Sequence, residues 1–152
     1  MRRTFITIAL LAALAVTAGA TEQIIPASEF DLDDHAGKVV VVDFWASWCP
    51  PCKAAMPFLS RMQEEYGDQG LVTIAVNLDQ DPAAADKMIA ELHDDIIVVM
   101  DTKGQLAREY KVTGLPTALV VDRGGEVVES HTGFHQSMEK SREAELQALL
   151  AR

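Results

Sequence analysis

The stretch Val39-Val40-Val41-Val42-Asp43-Phe44-Trp45-Ala46-Ser47-Trp48-Cys49-Pro50-Pro51-Cys52-Lys53 joins an apolar, β-branched run to two cysteines separated by two residues. The run up to Trp45 predicts a central, buried parallel strand. From Pro50 onward, Lys53, Met56, Leu59, Met62 and Tyr66 follow helical spacing. Proline is tolerated in a helix's first turn, where backbone N–H groups lack intrahelical partners. Cys49 is therefore expected at the N-cap and Cys52 at the third helical position. Free N–H groups and the positive end of the helix dipole face a sulfur there and favour its thiolate. A dithiol at the junction of a strand and a helix predicts a redox centre.

Cys49 and Cys52 are the only cysteines of the chain, and three other uses of them carry less weight. A structural disulfide across so short a loop would stabilise by only about 2 kcal/mol through loop entropy. A zinc site needs about four ligands, and there is no second cysteine pair. Two inert, buried thiols fit poorly at a helix N-terminus behind a tryptophan.

Ahead of this stretch, Met1-Arg2-Arg3 leads into an apolar segment over residues 5–16 and then Ala18-Gly19-Ala20. A charged start, a short apolar centre and small residues predict a secretory signal peptide over 1–20, cleaved after Ala20. One domain over 21–152 and a periplasmic location follow. The competing reading keeps residues 4–21 as a membrane anchor, but the apolar core is shorter than the roughly 20 residues a span needs. No cysteine stands near residue 20 to carry a lipid, and Arg2-Arg3 before Thr4-Phe5-Ile6 also resembles a twin-arginine export signal. All 23 acidic residues lie beyond Ala20, so loss of Arg2 and Arg3 would move the net charge from −10 to −12. So acidic a surface argues against nucleic acid or anionic lipid as partner. The length suits one domain with a real core, and a monomer is the default expectation.

Beyond the cysteines, residues 71–77 read as a second buried strand and 81–92 as a helix capped by Asp81. A strand at 96–100, a helix at 104–110 and a strand at 117–122 come next. Arg123-Gly124-Gly125 predicts a tight turn into an antiparallel strand at 126–130. Residues 137–150 close the chain as an amphipathic helix, while 22–36 is expected to be irregular. Pro57 falls inside the first helix and should kink it. Strands alternating with helices, then a hairpin and a helix, give an α/β fold with a mixed central sheet flanked by helices.

Val42-Asp43-Phe44-Trp45-Ala46 followed by Trp48-Cys49, Pro51-Cys52-Lys53 and Pro57 resembles thioredoxin. Val112-Thr113-Gly114-Leu115-Pro116-Thr117 resembles the family's second landmark, a loop ending in a cis-proline. The material over 81–110 is longer than plain thioredoxins carry between these landmarks. Such an inserted helix–strand unit, with export, is similar to the TlpA/ResA-like thiol–disulfide oxidoreductases, and the likeness covers nearly all of 21–152.

The resemblance implies roles. Cys49, the more exposed sulfur by position, is the expected nucleophile toward a substrate disulfide, and Cys52 the resolving thiol. Asp43, an acid inside an apolar strand, should have its pKa raised by burial and take the proton of Cys52. The alternative is a solvated strand-end acid. Pro116, if cis, sets the Leu115 backbone opposite the cysteines, where an extended substrate could pair with it. If trans, it is an ordinary loop residue. Trp48 and Pro50 are expected to contact substrate, Trp45 to shield the dithiol or serve the core, and Lys53 to steer the thiolate or simply be solvated. His131 and His135 are read as surface or hairpin-end residues, not a metal pair.

Both residues between the cysteines are prolines, so neither donates an N–H to Cys49, and the nearest donor is the N–H of Cys52. The histidine found there in strongly oxidising relatives is missing. A less stabilised thiolate makes the dithiol a better reductant. The expected function is a periplasmic reductase of protein disulfides, with apocytochrome c or copper-site cysteines as substrates the family suggests. It needs no cofactor and is fed by a membrane-bound electron donor. A Cu(I)-transfer module using the same cysteines and Met56, or a disulfide-donating oxidant, are the alternatives.

Overall fold

The computed structural model describes residues 24–152, so the signal peptide expected over 1–20 lies outside the described residues. The apolar run forms β2, Val39–Trp45, with every residue buried. It lies at the centre of a mixed, six-stranded sheet of order β1-β4-β3-β2-β5-β6. The other strands are β1 (Ile24–Pro26), β3 (Leu71–Asn77), β4 (Ile97–Met100), β5 (Thr117–Val121) and β6 (Val127–Thr132). β1, β4, β3 and β2 run parallel, and β5 and β6 join as antiparallel neighbours. The helices are α1 (Pro50–Tyr66), α2 (Asp86–Ile89), α3 (Gln105–Glu109) and α4 (Glu139–Leu150).

Side chains alternate across a strand, so β2 feeds two cores. Val39, Val41 and Trp45 pack with Cys49, Cys52, Met56, Leu59 and Met62 beneath α1, where Leu146 of α4 also closes in. Val40, Val42 and Phe44 pack with Ile74, Val76, Val99 and Leu106 on the other face, under the lead-in and α3. Asp43 shares the α1 face with Val41 and Trp45. Its register partners on the flanking strands are both small, Ala75 on β3 and Ala118 on β5.

α4 is held to α1 by polar contacts at its outer edge. Arg61 donates to Glu139 at 2.9 Å and to Glu143 at 3.0 Å, and the Tyr66 hydroxyl donates to Glu143 at 2.9 Å. These donors, Arg61 foremost, hold the Glu143 carboxyl below its ordinary value. Past β5 the Asp122 turn closes through Asp122 Oδ1, which accepts from Gly124 and Glu126 N–H, with Gly125 at φ +84.

Two expectations are corrected. The lead-in is not wholly irregular, because Ile24–Pro26 adds a parallel edge strand to β4. Three residues ending in proline give almost no periodicity, and an edge position tolerates that proline. The helix expected over 81–92 breaks into a 3-10 turn at Pro82–Ala84 and the single α-turn of α2. Asp81 still caps it, accepting from Ala83 N–H at 3.1 Å. Ala85 is fully buried at the break, where the chain is drawn against the core. Pro57 sits inside α1 without ending it.

Candidate active site: a dithiol at a strand–helix junction

The turn after β2 delivers Cys49 in an extended conformation (φ −97, ψ 104) at the N-cap of α1, with Pro50 and Pro51 opening the helix. Cys52 N–H donates to Cys49 Sγ at 3.3 Å, the one-turn geometry expected when both intervening residues lack a donor. The two cysteines are joined as a disulfide, with Cα atoms 5.3 Å apart. Cys52 is fully buried and Cys49 nearly so, at 0% and 4% exposure. The order is the expected one, but Cys49 reaches solvent only through a hollow.

That hollow, about 550 Å³ and open, is walled by Trp48, Cys49, Pro50, Val112, Gly114 and Leu115 among others. The Leu115–Pro116 peptide bond is cis, and Thr117 Oγ1 donates to Gly114 O at 2.7 Å to hold the loop. Trp48 is 68% exposed beside the sulfurs, whereas Trp45 is fully buried in the core. The expected substrate residues Trp48, Pro50 and Leu115 therefore line one surface with Cys49. Trp45 is not part of that surface. Lys53 is exposed and opens onto a separate groove with Lys87 and Glu91 between α1 and α2. Met56 lies in the core beside the cysteines.

Asp43 is 2% exposed, and its Oδ2 accepts no hydrogen bond among the described residues. Burial pushes its pKa from the ordinary 3.8 up to about 8, against the opposing charge of Arg142. The solvated strand-end alternative does not hold, since Asp43 sits mid-strand under two helices.

Sequence reasoning missed two groups. Asp79, just past β3 and 2% exposed, pins the loop that presents the cysteines. Its Oδ2 accepts from Ser47 N–H at 2.9 Å and from Asn77 Nδ2 at 2.7 Å, and its Oδ1 accepts from Ser47 Oγ at 2.9 Å. The only signal was Asn77 and Asp79, polar residues closing an apolar strand. His131 is the second. It is not a plain surface residue but faces the Asp43 side of α4, with its Nε2 2.9 Å from Glu145 Oε2. His135 caps a separate 3-10 turn, accepting from Ser137 N–H, so the two histidines do not form a pair. Donor atoms of Glu129, His131 and Glu145 lie within 4.8 Å of one another. Of the described residues these have the composition to hold a cation, although His131 and Glu145 already engage each other.

The Redoxin family model matches residues 20–150. The chain belongs to the Redoxin family. It is 33% identical to thiol-disulfide oxidoreductase ResA of Bacillus subtilis over 103 residues, 68% of this chain and 58% of that one. The same protein of Oceanobacillus iheyensis is 36% identical over 102 residues, 67% of this chain and 53% of that one. The chain thus spans little more than half the length of these relatives. Among solved structures, a Chlorobium tepidum protein described as thiol:disulfide interchange protein DsbE superposes with a TM-score of 0.74 at 40% identity, covering 78% of this chain and 84% of that one. The exposed lipoprotein thioredoxin Etrx1 of Streptococcus pneumoniae gives 0.67 at 30% identity, covering 79% and 91%. The thioredoxin-like fold, the mixed sheet and the paired redox cysteines of this Redoxin chain are those the sequence led us to expect.

Two consequences are measurable. Because Asp43 binds its proton more tightly folded than unfolded, its contribution to stability is complete below about pH 4. It is lost as pH rises toward about 8, at up to about 1.4 kcal/mol per pH unit. Asp43→Asn should therefore gain on the wild type by a few kcal/mol across that window and stay level with it below the window, as read by urea unfolding at each pH. Equal pH slopes would show that Asp43 ionises normally. Asp79→Ala strips partners from buried donors and should cost about 3 kcal/mol, measured the same way at one pH.

Proposed function

We propose that this Redoxin chain is a thiol–disulfide oxidoreductase that works as a reductant of protein disulfides. The observation that carries the reading is the dithiol at the start of α1, with Cys49 opening onto the hollow that Trp48 and Leu115 wall. In the reduced protein the Cys49 thiolate attacks one sulfur of a substrate disulfide, and the other substrate sulfur leaves as a thiolate. Asp43 takes the proton of Cys52, whose thiolate then attacks Cys49. That step forms the Cys49–Cys52 bond, breaks the mixed disulfide and releases the second substrate thiolate. Two electrons pass from the protein to the substrate. Trp48, Pro50 and the Leu115 backbone hold an extended substrate segment against Cys49, as an added strand would be held.

The supports of the Cys49 sulfur favour the reducing direction. One backbone N–H, that of Cys52, reaches it, and two prolines and no histidine fill the loop. A weakly stabilised thiolate gives up its electrons readily. We place the reaction outside the cytoplasm on the strength of residues 1–20, as a monomer fed by a membrane-bound donor. Apocytochrome c haem-site or copper-site cysteines are the proposed clients.

The test follows the Cys49/Cys52 couple by Trp48 fluorescence in thiol redox buffers. A potential near or below about −250 mV is expected for a reductant, and one near about −120 mV would instead make it a disulfide donor. Cys49→Ser should abolish reduction of insulin disulfides, and Cys52→Ser should accumulate a mixed disulfide at Cys49. Retained insulin reduction by Cys49→Ser would remove the proposal altogether.

A further inference from the structure

Asp43 borders a small cavity between β2, α1 and α4, and that cavity is where its proton can go. Its volume is about 20 Å³, and one water needs roughly 10–15 Å³ by the same measure. The space exists because Ala118 on β5 and Ala55 on α1 leave it unfilled beside the Asp43 carboxyl. Much of its wall is apolar, from Val41, Phe58, Leu59, Val120, Phe134 and Leu146. The titratable groups facing it are Asp43 from β2, His131 from β6, and Arg142 and Glu145 from α4. No titratable side chain of α1 or β5 lines it.

Two of these groups have an oxygen that lacks a partner among the described residues, Asp43 Oδ2 and Glu145 Oε1. Buried polar atoms are ordinarily satisfied by protein or by ordered water. A single water between them satisfies both, accepting from the Asp43 carboxyl when it is protonated and donating to Glu145 Oε1. The other oxygen of Glu145 is 2.9 Å from His131 Nε2, and the two side chains are 24% and 26% exposed. Arg142 is held across the cavity by its bond to Gly133 O at 2.7 Å, and its charge favours the Asp43 carboxylate. Glu129 stands beside His131 on β6, a carboxylate oxygen within 4.8 Å of the imidazole.

We propose that this cavity holds one water, and that the water and the Glu145–His131 pair form the route by which the Asp43 proton leaves for solvent. The proposal rests on the oxidoreductase reading above. When Cys52 thiolate forms, its proton is on Asp43. Burial keeps Asp43 protonated at neutral pH, so before it can take that proton Asp43 must first lose its own, with the carboxyl O–H breaking as the water takes the proton and passes one of its own to Glu145. His131 then takes it from Glu145 and releases it to bulk water. Electrons are conserved, since the disulfide exchange alone moves them. Neither Glu145 nor His131 lines the hollow at Cys49, so they are positioning residues that act through Asp43.

The experiment mixes reduced full-length protein with oxidised insulin and follows Trp48 fluorescence in a single turnover across pH, in light and heavy water. Glu145→Gln keeps the shape and a hydrogen bond to His131 but cannot carry the proton as a carboxylate does. Its rate should fall about tenfold around neutral pH, with a larger solvent isotope effect and an unchanged equilibrium potential. The deficit should vanish at high pH, where Asp43 is already ionised. His131→Gln, at the outer end of the route, should show the same pH-confined loss and serves if Glu145→Gln does not fold. Wild-type rates and isotope effects in both variants would overturn the route. A loss equal at every pH with an unaltered isotope effect would overturn it too, as a structural effect. Either result leaves the oxidoreductase reading intact so long as Cys49→Ser is inactive. Activity in Cys49→Ser would instead end both.

Discussion

The N–H of Cys52 on the sulfur of Cys49 is the interaction on which the chemistry of this molecule depends. It exists only because α1 begins where β2 ends, with a strand too apolar to lie anywhere but mid-sheet and two prolines that can start a helix but not continue one backward. Those prolines remove the other donors that could have faced the sulfur. One residue pair therefore sets both the local fold and the hydrogen bonding of the Cys49 sulfur. Everything that fixes the direction of the Cys49–Cys52 vector, including the Asp79 clamp on Ser47, acts on this bond.

Asp43 shows the cost of placing a carboxyl under such a helix. A carboxyl in the middle of a seven-residue buried strand loses its hydration, and burial alone carries its pKa toward the working range. The protein does not neutralise that penalty with a close ion pair. Arg142 faces Asp43 with a charge but bonds Gly133, so it moderates the shift without cancelling it. A direct salt bridge would favour the ionised carboxyl and draw its pKa back down.

Legibility in the sequence followed the range of the interactions. β2, α1 and their cysteines were readable because apolar periodicity, a β-branched run and N-terminal prolines are local signals. The cis bond at Pro116 was readable from the family likeness of Val112-Thr113-Gly114-Leu115-Pro116-Thr117. β1 was not, since three residues make a strand only when β4 offers an open edge. The 81–92 segment has helical spacing throughout, yet it divides into a 3-10 turn and one α-turn on either side of the buried Ala85. Asp79 and His131 were invisible as site residues because their partners, Ser47 and Glu145, are 32 and 14 residues away.

The terminal helix ties these elements together. On α4, Glu139 and Glu143 are one turn apart and meet Arg61 of α1, while Arg142, Glu145 and Leu146 turn toward the Asp43 face. Residues three and four apart share a helix face, so the two contact stripes are adjacent and rigidly related. The ion pairs with Arg61 are partly exposed and worth little to stability by themselves. Their effect is orientational: they fix the rotation of α4 about its axis, and with it the distance of Glu145 from His131 and of Arg142 from Asp43. A helix rotated by one residue would carry Arg142, Glu145 and Leu146 away from the cavity together. The surface pairs on α1 and the buried acid on β2 are in this way parts of one arrangement, joined through α4.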